Sequence, residues 1–336
     1  MNAAHTVPPH ALSIVVPFYN EEDNIAPLVK RVHEALTGYE NPWELVLVDD
    51  GSSDATVERA LQSAKEYGPH VRIVELTRNF KQTAAMQAGI DAARGDVIVT
   101  MDGDLQNDPI DIPRMVARLL NEDLDLVAGW RQNRQDGLVL RKIPSKIANK
   151  LIARMTGVKL RDYGCSLKAF RGDVIKRVRL YGEMHRFIPA WLATVTTPRR
   201  IAQEPTTHHA RTAGVSKYGI SRTFRVILDL IAVFFFMRFR ARPGHFFGSI
   251  GLALTALSGL VLAWLAWVKF GLGNPIGGRP ALIVGIGGLI AGVHFITTGV
   301  LAELLARIYF ESGTIRSYSA RPETPLAADE GWHRPA

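Results

Sequence analysis

The chain has 336 residues, 47% of them hydrophobic, and one cysteine, Cys165, so an intramolecular disulfide and a cysteine-based metal centre are excluded, as are disorder, collagen and coiled coil. Its charge is segregated: residues 1–130 hold 10 Lys+Arg and 21 Asp+Glu, residues 131–242 hold 24 and 6, and residues 243–336 hold 6 and 5. That division excludes a uniformly basic nucleic-acid binder and suits a first part that handles a cation and a second that faces something anionic.

Residues 12–130 alternate short apolar runs with helical patterns. LSIVVP (12–17) reads as a strand ending at Pro17, and ELVLVDDGSSDAT (44–56) as a strand entering Asp49, Asp50 and a Gly-Ser turn. VRIVEL (71–76), DVIVTMDGD (96–104) and DLVAGW (125–130) are three more, with helical patterns over 84–93 and 112–120. This order predicts an α/β fold with a mostly parallel sheet covered on both faces. Ligands of such sheets sit outside the carboxyl ends of the strands. Those ends carry Pro17-Phe18-Tyr19-Asn20-Glu21, Asp49-Asp50-Gly51-Ser52 and Asp102-Gly103-Asp104.

Two carboxylates spaced two apart are common in solvated loops. At the end of a buried apolar strand they are costly unless they hold a cation. Gln106 adds a neutral oxygen ligand two residues on. The chain has no Walker A lysine loop, which excludes a P-loop nucleotide fold. A hard divalent cation held by one or two carboxylates and a nucleotide diphosphate is the expected occupant.

Pro17-x-Tyr19-Asn20-Glu21, VDDGSSDAT (48–56) and MDGDLQNDP (101–109) resemble family 2 glycosyltransferases of the GT-A, Rossmann-like fold. RQNRQD (131–136), DYGCSLKAF (162–170) and HHARTAGVSKY (208–218) narrow the resemblance to the polyprenyl-phosphate glycosyltransferases. It implies metal-dependent, inverting transfer of one sugar from a nucleotide sugar to undecaprenyl (polyprenyl) phosphate. A UDP-sugar such as glucose or an aminoarabinose derivative is favoured as donor, with GDP-mannose as the alternative. By the same resemblance Pro17, Tyr19, Glu21, Val48 and Asp50 line the nucleoside pocket, and Gly103 lies within the nucleotide-sugar site. Asp102 sits by the ribose and diphosphate, and Asp102, Asp104 and Gln106 hold Mg2+ or Mn2+. Arg131 meets the phosphates, Arg211 and Lys217 form a basic loop for donor diphosphate and lipid phosphate, and Asp162 is a catalytic or acceptor-orienting carboxylate. From the residues alone Asp162 reads equally as a helix cap or loop acid. Two departures are Gly103, where alanine is usual, and Lys81, where glycine is frequent. His208 and His209 have no partners at metal-ligand spacing, and Cys165 reads as a packing residue.

Ile220, Phe224, Ile227, Leu228, Ile231, Phe234 and Phe235 form one apolar helical stripe, which packs either on the protein or on a membrane surface. Between Pro243 and Val268, and between Ala281 and Ala302, there is no Lys, Arg, Asp or Glu. Each run is long enough to cross the ~30 Å hydrocarbon core, and the arginines before the first and after the second place both ends in the cytoplasm. With no apolar N-terminal segment, a signal peptide is not expected. The expected organisation is a tail (1–11), a GT-A domain (12–219), an amphipathic juxtamembrane helix (220–242), two transmembrane helices (243–308; about 245–268 and 281–303) and a cytoplasmic tail (309–336). The small residues of the second span allow homo-oligomers by helix association. A non-catalytic scaffold that only binds nucleotide is the alternative of another class; it has no need of the acidic pair, Arg131 and the Arg211/Lys217 loop together.

Overall fold

The computed structural model describes residues 7–131, 152–154, 156–209 and 243–312. They fall into two compact units, one within residues 7–209 and one within residues 243–312. The amphipathic stripe and the Arg211/Lys217 loop lie outside the described residues.

The first unit is built on a seven-stranded sheet. Its strands are β1 (Leu12–Phe18), β2 (Trp43–Asp49), β3 (Val71–Glu75), β4 (Val97–Thr100), β5 (Leu126–Arg131), β6 (Lys168–Arg171) and β7 (Ile201–Thr206), in the order β3-β2-β1-β4-β6-β5-β7. β1 to β4 pair in parallel, β6 enters antiparallel between β4 and β5, and β5 pairs in parallel with β7. Every residue of β1 and β2 is buried. Burial on both faces is why these strands read as continuous apolar runs instead of alternating ones. The helices that cover them carry single apolar stripes. α1 (Glu22–Ala35) buries Ile25, Leu28, Val29 and Val32, and α4 (Ile112–Asn121) buries Ile112, Met115, Val116 and Leu119, both at helical spacing.

α2 (Thr56–Tyr67) follows β2, and α3 (Gln82–Ala92) follows β3. α3 lies close on β1 and β2 because Gly89 has no side chain. A Cβ there would stand 2.3 Å from Val15 Cγ1 and 2.8 Å from Val48 Cγ2. Gly89→Ala should therefore destabilise the unit by about 1–3 kcal/mol through overpacking. A thermal melt that matches wild type would contradict this account of the α3 seat.

The mostly parallel α/β fold expected from the sequence is present, and the five strands read there recur within a few residues. β6 and β7 were not legible. β6 has only four residues, KAFR, and β7 is the polar run IAQEPT. Neither carries an apolar pattern long enough to announce a strand, and Pro205 fits the sheet only because β7 is an edge.

The second unit is a helical hairpin of α5 (Pro243–Ala266), prolonged by a π turn through Gly271, and α6 (Pro280–Ser312). The apolar segments Pro243–Gly271 and Pro280–Leu305 have 29 and 26 residues, enough to cross a membrane. Their contact uses small residues. A Cβ on Gly251 would meet Gly292 O at 2.7 Å, and one on Gly288 would meet Ser258 Oγ at 2.2 Å. Backbones approach this closely only where both faces lack bulk. Outward faces carry Leu252, Leu260, Ile283 and Ile290, each more than 60% exposed, a surface suited to lipid. At the helix ends the Gly244 amide donates to Glu303 Oε2 at 3.2 Å, which ties the start of α5 to α6.

Candidate active site

The site lies where β1, β2, β4 and β5 end. After β2 the Asp49 carboxylate accepts from the Gly51 and Ser52 amides at 3.1 Å, which folds the turn. Gly51 has φ +72°, and a Cβ there would stand 2.5 Å from the Arg78 carbonyl carbon, which brings residues 78–81 against the turn. Asp50 is buried, and its Oδ1 accepts from the Phe80 amide at 2.7 Å. Burial and the charge of Asp49 hold its carboxyl above the usual range against the Phe80 and Lys81 amides.

The β1 end is stitched to the same turn. The Asn20 amide donates to Ser52 Oγ and the Ser53 amide to Asn20 Oδ1, both at 2.9 Å. Tyr19 is exposed beside it. The Glu21 amide donates to Thr56 Oγ1 at 3.0 Å, while its carboxylate accepts from Asn24. Pro17 and Val48 are buried neighbours in the β1–β2 ladder. The Val48 side chain lies under Gly89 of α3.

Beyond β4 the chain turns through Asp102, Gly103 and Asp104. Gly103 rests on Phe18 and Pro17; a Cβ there would meet them at 3.4–3.5 Å, an ordinary contact that alanine would also make. Asp102 Oδ1 accepts from Gln82 Nε2 at 2.8 Å. Desolvation and the adjacent Asp104 push the Asp102 carboxyl up to about 6, although Ser166, Lys168 and Arg131 oppose the rise. The Gln106 amide donates to Asp104 Oδ1 at 3.2 Å. Two mutually repelling carboxylates and a side-chain amide within five residues form an all-oxygen donor set with excess negative charge. That chemistry fits a hard divalent cation that completes its shell with phosphate oxygens and water. Among the described residues no group of three His, Cys, Asp or Glu gathers at metal-binding distance, so protein groups alone do not make a closed cage.

The insertion of β6 brings in residues that sequence spacing did not connect to this site. Arg131, the last residue of β5, donates to Asp162 twice, Nε to Oδ2 at 2.7 Å and Nη2 to Oδ1 at 3.1 Å. Both side chains are largely buried. Burial alone would lower the Arg131 pKa, but the hydrogen bonds and charge of Asp162 outweigh it and raise it. Asp162 also accepts from the Gly164 amide at 3.0 Å. Ser166 hydrogen-bonds Asp102 and accepts from Asn107 Nδ2 at 2.6 Å. Lys168, opposite Thr100 across β4–β6, is buried and donates to the Cys165 carbonyl; burial lowers its pKa. Cys165 is itself fully buried and its thiol is pushed up by burial, which suits packing and not reaction. His185 meets Thr83 Oγ1 at 2.5 Å and is pushed down to about 3 by burial, with the charges of Arg186 and Lys168 adding, so its imidazole stays neutral.

His208 and His209 border the acidic turn without forming a metal cluster. Asn107 bridges His208, the His209 amide donates to Gln106 O at 2.8 Å, and the His209 ring meets Asp108 Oδ2 at 2.8 Å.

A parallel sheet closed by an antiparallel insertion, with an acidic pair at the end of β4 and an arginine at the end of β5, defines a glycosyltransferase of the GT-A fold. Residues 13–179 match the family described as Glycosyl transferase family 2. Dodecaprenyl-phosphate galacturonate synthase of Rhizobium johnstonii is 61% identical over 310 residues, covering 92% of each chain. Undecaprenyl-phosphate 4-deoxy-4-formamido-L-arabinose transferase of Pseudomonas fluorescens is 34% identical over 332 residues, 96% of this chain and 95% of that protein. Among solved structures, glucosyl-3-phosphoglycerate synthase from Mycobacterium tuberculosis in complex with Mn2+, UDP and glucosyl-3-phosphoglycerate has TM-score 0.51 at 19% identity, over 68% of this chain and 80% of that one. That likeness concerns the fold. The chain belongs to glycosyl transferase family 2.

Proposed function

We propose that this enzyme transfers one hexuronic acid residue from a UDP-sugar to a polyprenyl phosphate at the cytoplasmic face of the inner membrane, with inversion at the anomeric carbon. The carrying observation is the acidic pair Asp102/Asp104 beside the Arg131–Asp162 pair at the ends of β4 and β5. A leaving diphosphate needs such a concentration of fixed charge. The class of acceptor is supported by the names of the two relatives, by the two apolar helices and by the basic content of residues 131–242. The hexuronate is supported by the relative at 61% identity and replaces the glucose or aminoarabinose expected from the sequence, with the UDP carrier kept. A GDP-mannose donor finds no counterpart in either relative's name. The orientation rests on the arginines flanking the hairpin.

In this reading a phosphate oxygen of the lipid attacks C1 of the sugar, the bond from C1 to the donor diphosphate breaks, and the nucleoside diphosphate leaves. Asp102, Asp104 and Gln106 would hold Mg2+ or Mn2+, which would supply positive charge to the leaving diphosphate. Asp50, Tyr19 and the turn after β2 bind the nucleoside. Arg131, held by Asp162, is a fixed cation for phosphate oxygens, and Arg211 and Lys217 serve the lipid phosphate.

The test is transfer of labelled sugar to undecaprenyl phosphate in detergent, from UDP-galacturonate, UDP-glucose and GDP-mannose, with and without chelator. UDP-galacturonate should be the best donor and chelation should stop transfer. Preferential use of GDP-mannose would overturn the donor, and transfer to no polyprenyl phosphate would overturn the acceptor.

A further inference from the structure

Lys81 stands in a conformation that a lysine rarely adopts. Its φ is +79° with ψ 160°, outside the left-handed helical well and in a region that is essentially glycine's own. Among the described residues three other non-glycine residues have positive φ: Asn20 at +54°, Leu105 at +60° and Asp123 at +50°. Asn and Asp enter that region readily, and a lysine gains nothing comparable from a short polar side chain.

The strained residue joins the two halves of the donor site. Its amide, with that of Phe80, hydrogen-bonds the Asp50 carboxylate. The next side chain, Gln82, reaches Asp102 at 2.8 Å. Lys81 itself is exposed. Backbone duties alone would be met by glycine, which has an amide and no strain there. Retaining a long cationic side chain at a glycine position between Asp50 and Asp102 calls for work done by the ammonium.

We propose that the Lys81 ammonium binds an oxyanion of the donor, making Lys81 a donor-affinity and specificity residue of the transferase. The oxyanion is either the diphosphate or the carboxylate of the hexuronate, two groups with the same chemistry for an ammonium. The inference rests on the donor reading above and adds to it a cation from a different loop than Arg131.

The test compares full-length wild type, Lys81→Gly and Lys81→Ala in detergent with Mg2+. Binding of UDP, UDP-glucose and UDP-galacturonate is titrated, and thermal melts are recorded without ligand. Both variants should bind about 10-fold more weakly, the scale of one charge-assisted contact. An equal loss for all three ligands assigns the contact to the diphosphate, and a loss confined to UDP-galacturonate assigns it to the sugar carboxylate. In the melts Lys81→Gly should stand above Lys81→Ala, because only glycine relieves the backbone. Wild-type affinity for all three ligands in Lys81→Gly would overturn the inference while leaving the donor reading intact. Lys81→Ala melting at or above Lys81→Gly would remove its premise. Wild type that binds none of the three would overturn the donor reading itself, and this inference with it.

Discussion

Asp104→Asn should fold normally and lose transfer by roughly 10²–10³-fold, the scale of removing one group that stabilises transition-state charge. Asparagine keeps the side-chain oxygen that accepts from the Gln106 amide, so the turn beyond β4 should hold its shape. It also removes the negative charge that raises Asp102, so the ligand-free protein should melt no lower than wild type. What disappears is half of the anionic donor set for the divalent cation. Excess Mn2+ should recover part of the activity, since the amide oxygen remains a weak ligand. Transfer near wild-type rate in Asp104→Asn with a chelator present would refute the cation site, and a collapsed melting temperature would show that Asp104 holds the turn.

How far the sequence reveals this site depends on how each residue reaches it. The acids at the ends of β2 and β4 follow buried apolar runs, and such runs announce both the strand and the place where it stops. The β5 end was legible for the same reason, although Arg131 there was singled out by the family resemblance and not by the strand pattern. β6 was not, because four residues inserted antiparallel leave no pattern. With it went the register that places Lys168 opposite Thr100 and brings Ser166 to Asp102. The Arg131–Asp162 pair joins residues 31 apart through that same insertion. A lone aspartate in DYGC therefore reads equally as loop acid or catalytic group until the strand is known. Val48, two residues before Asp50, shows what the strand adds to the motif: alternation sets its side chain under Gly89. The helix–helix contact of α5 and α6 was legible in kind from its glycines, since close packing needs small residues whatever the register.

Asp162→Asn should lower the maximum rate by roughly 10²-fold and leave the acidic limb of the rate–pH profile where it is. The first half follows from the pair with Arg131. A carboxylate that accepts both Nε and Nη2 of a largely buried guanidinium fixes that cation in place. Asparagine offers one oxygen and no charge, so the guanidinium loses its fork partner and its aim at phosphate. The second half follows from the nucleophile. A phosphate monoester has a second pKa of about 6, so at neutral pH it needs no strong base to attack. Positioning and fixed charge then dominate. If Asp162 acts only through Arg131, removing both should cost no more than removing Arg131 alone, since residues that act as a unit are not additive. Rates for wild type, Asp162→Asn, Arg131→Ala and the double variant decide this, taken from pH 5 to 9 at saturating cation and donor so that the limb reports the lipid phosphate. A limb that shifts or vanishes in Asp162→Asn would mean that the aspartate itself exchanges the proton. A double variant much slower than Arg131→Ala would give Asp162 a contact with substrate of its own.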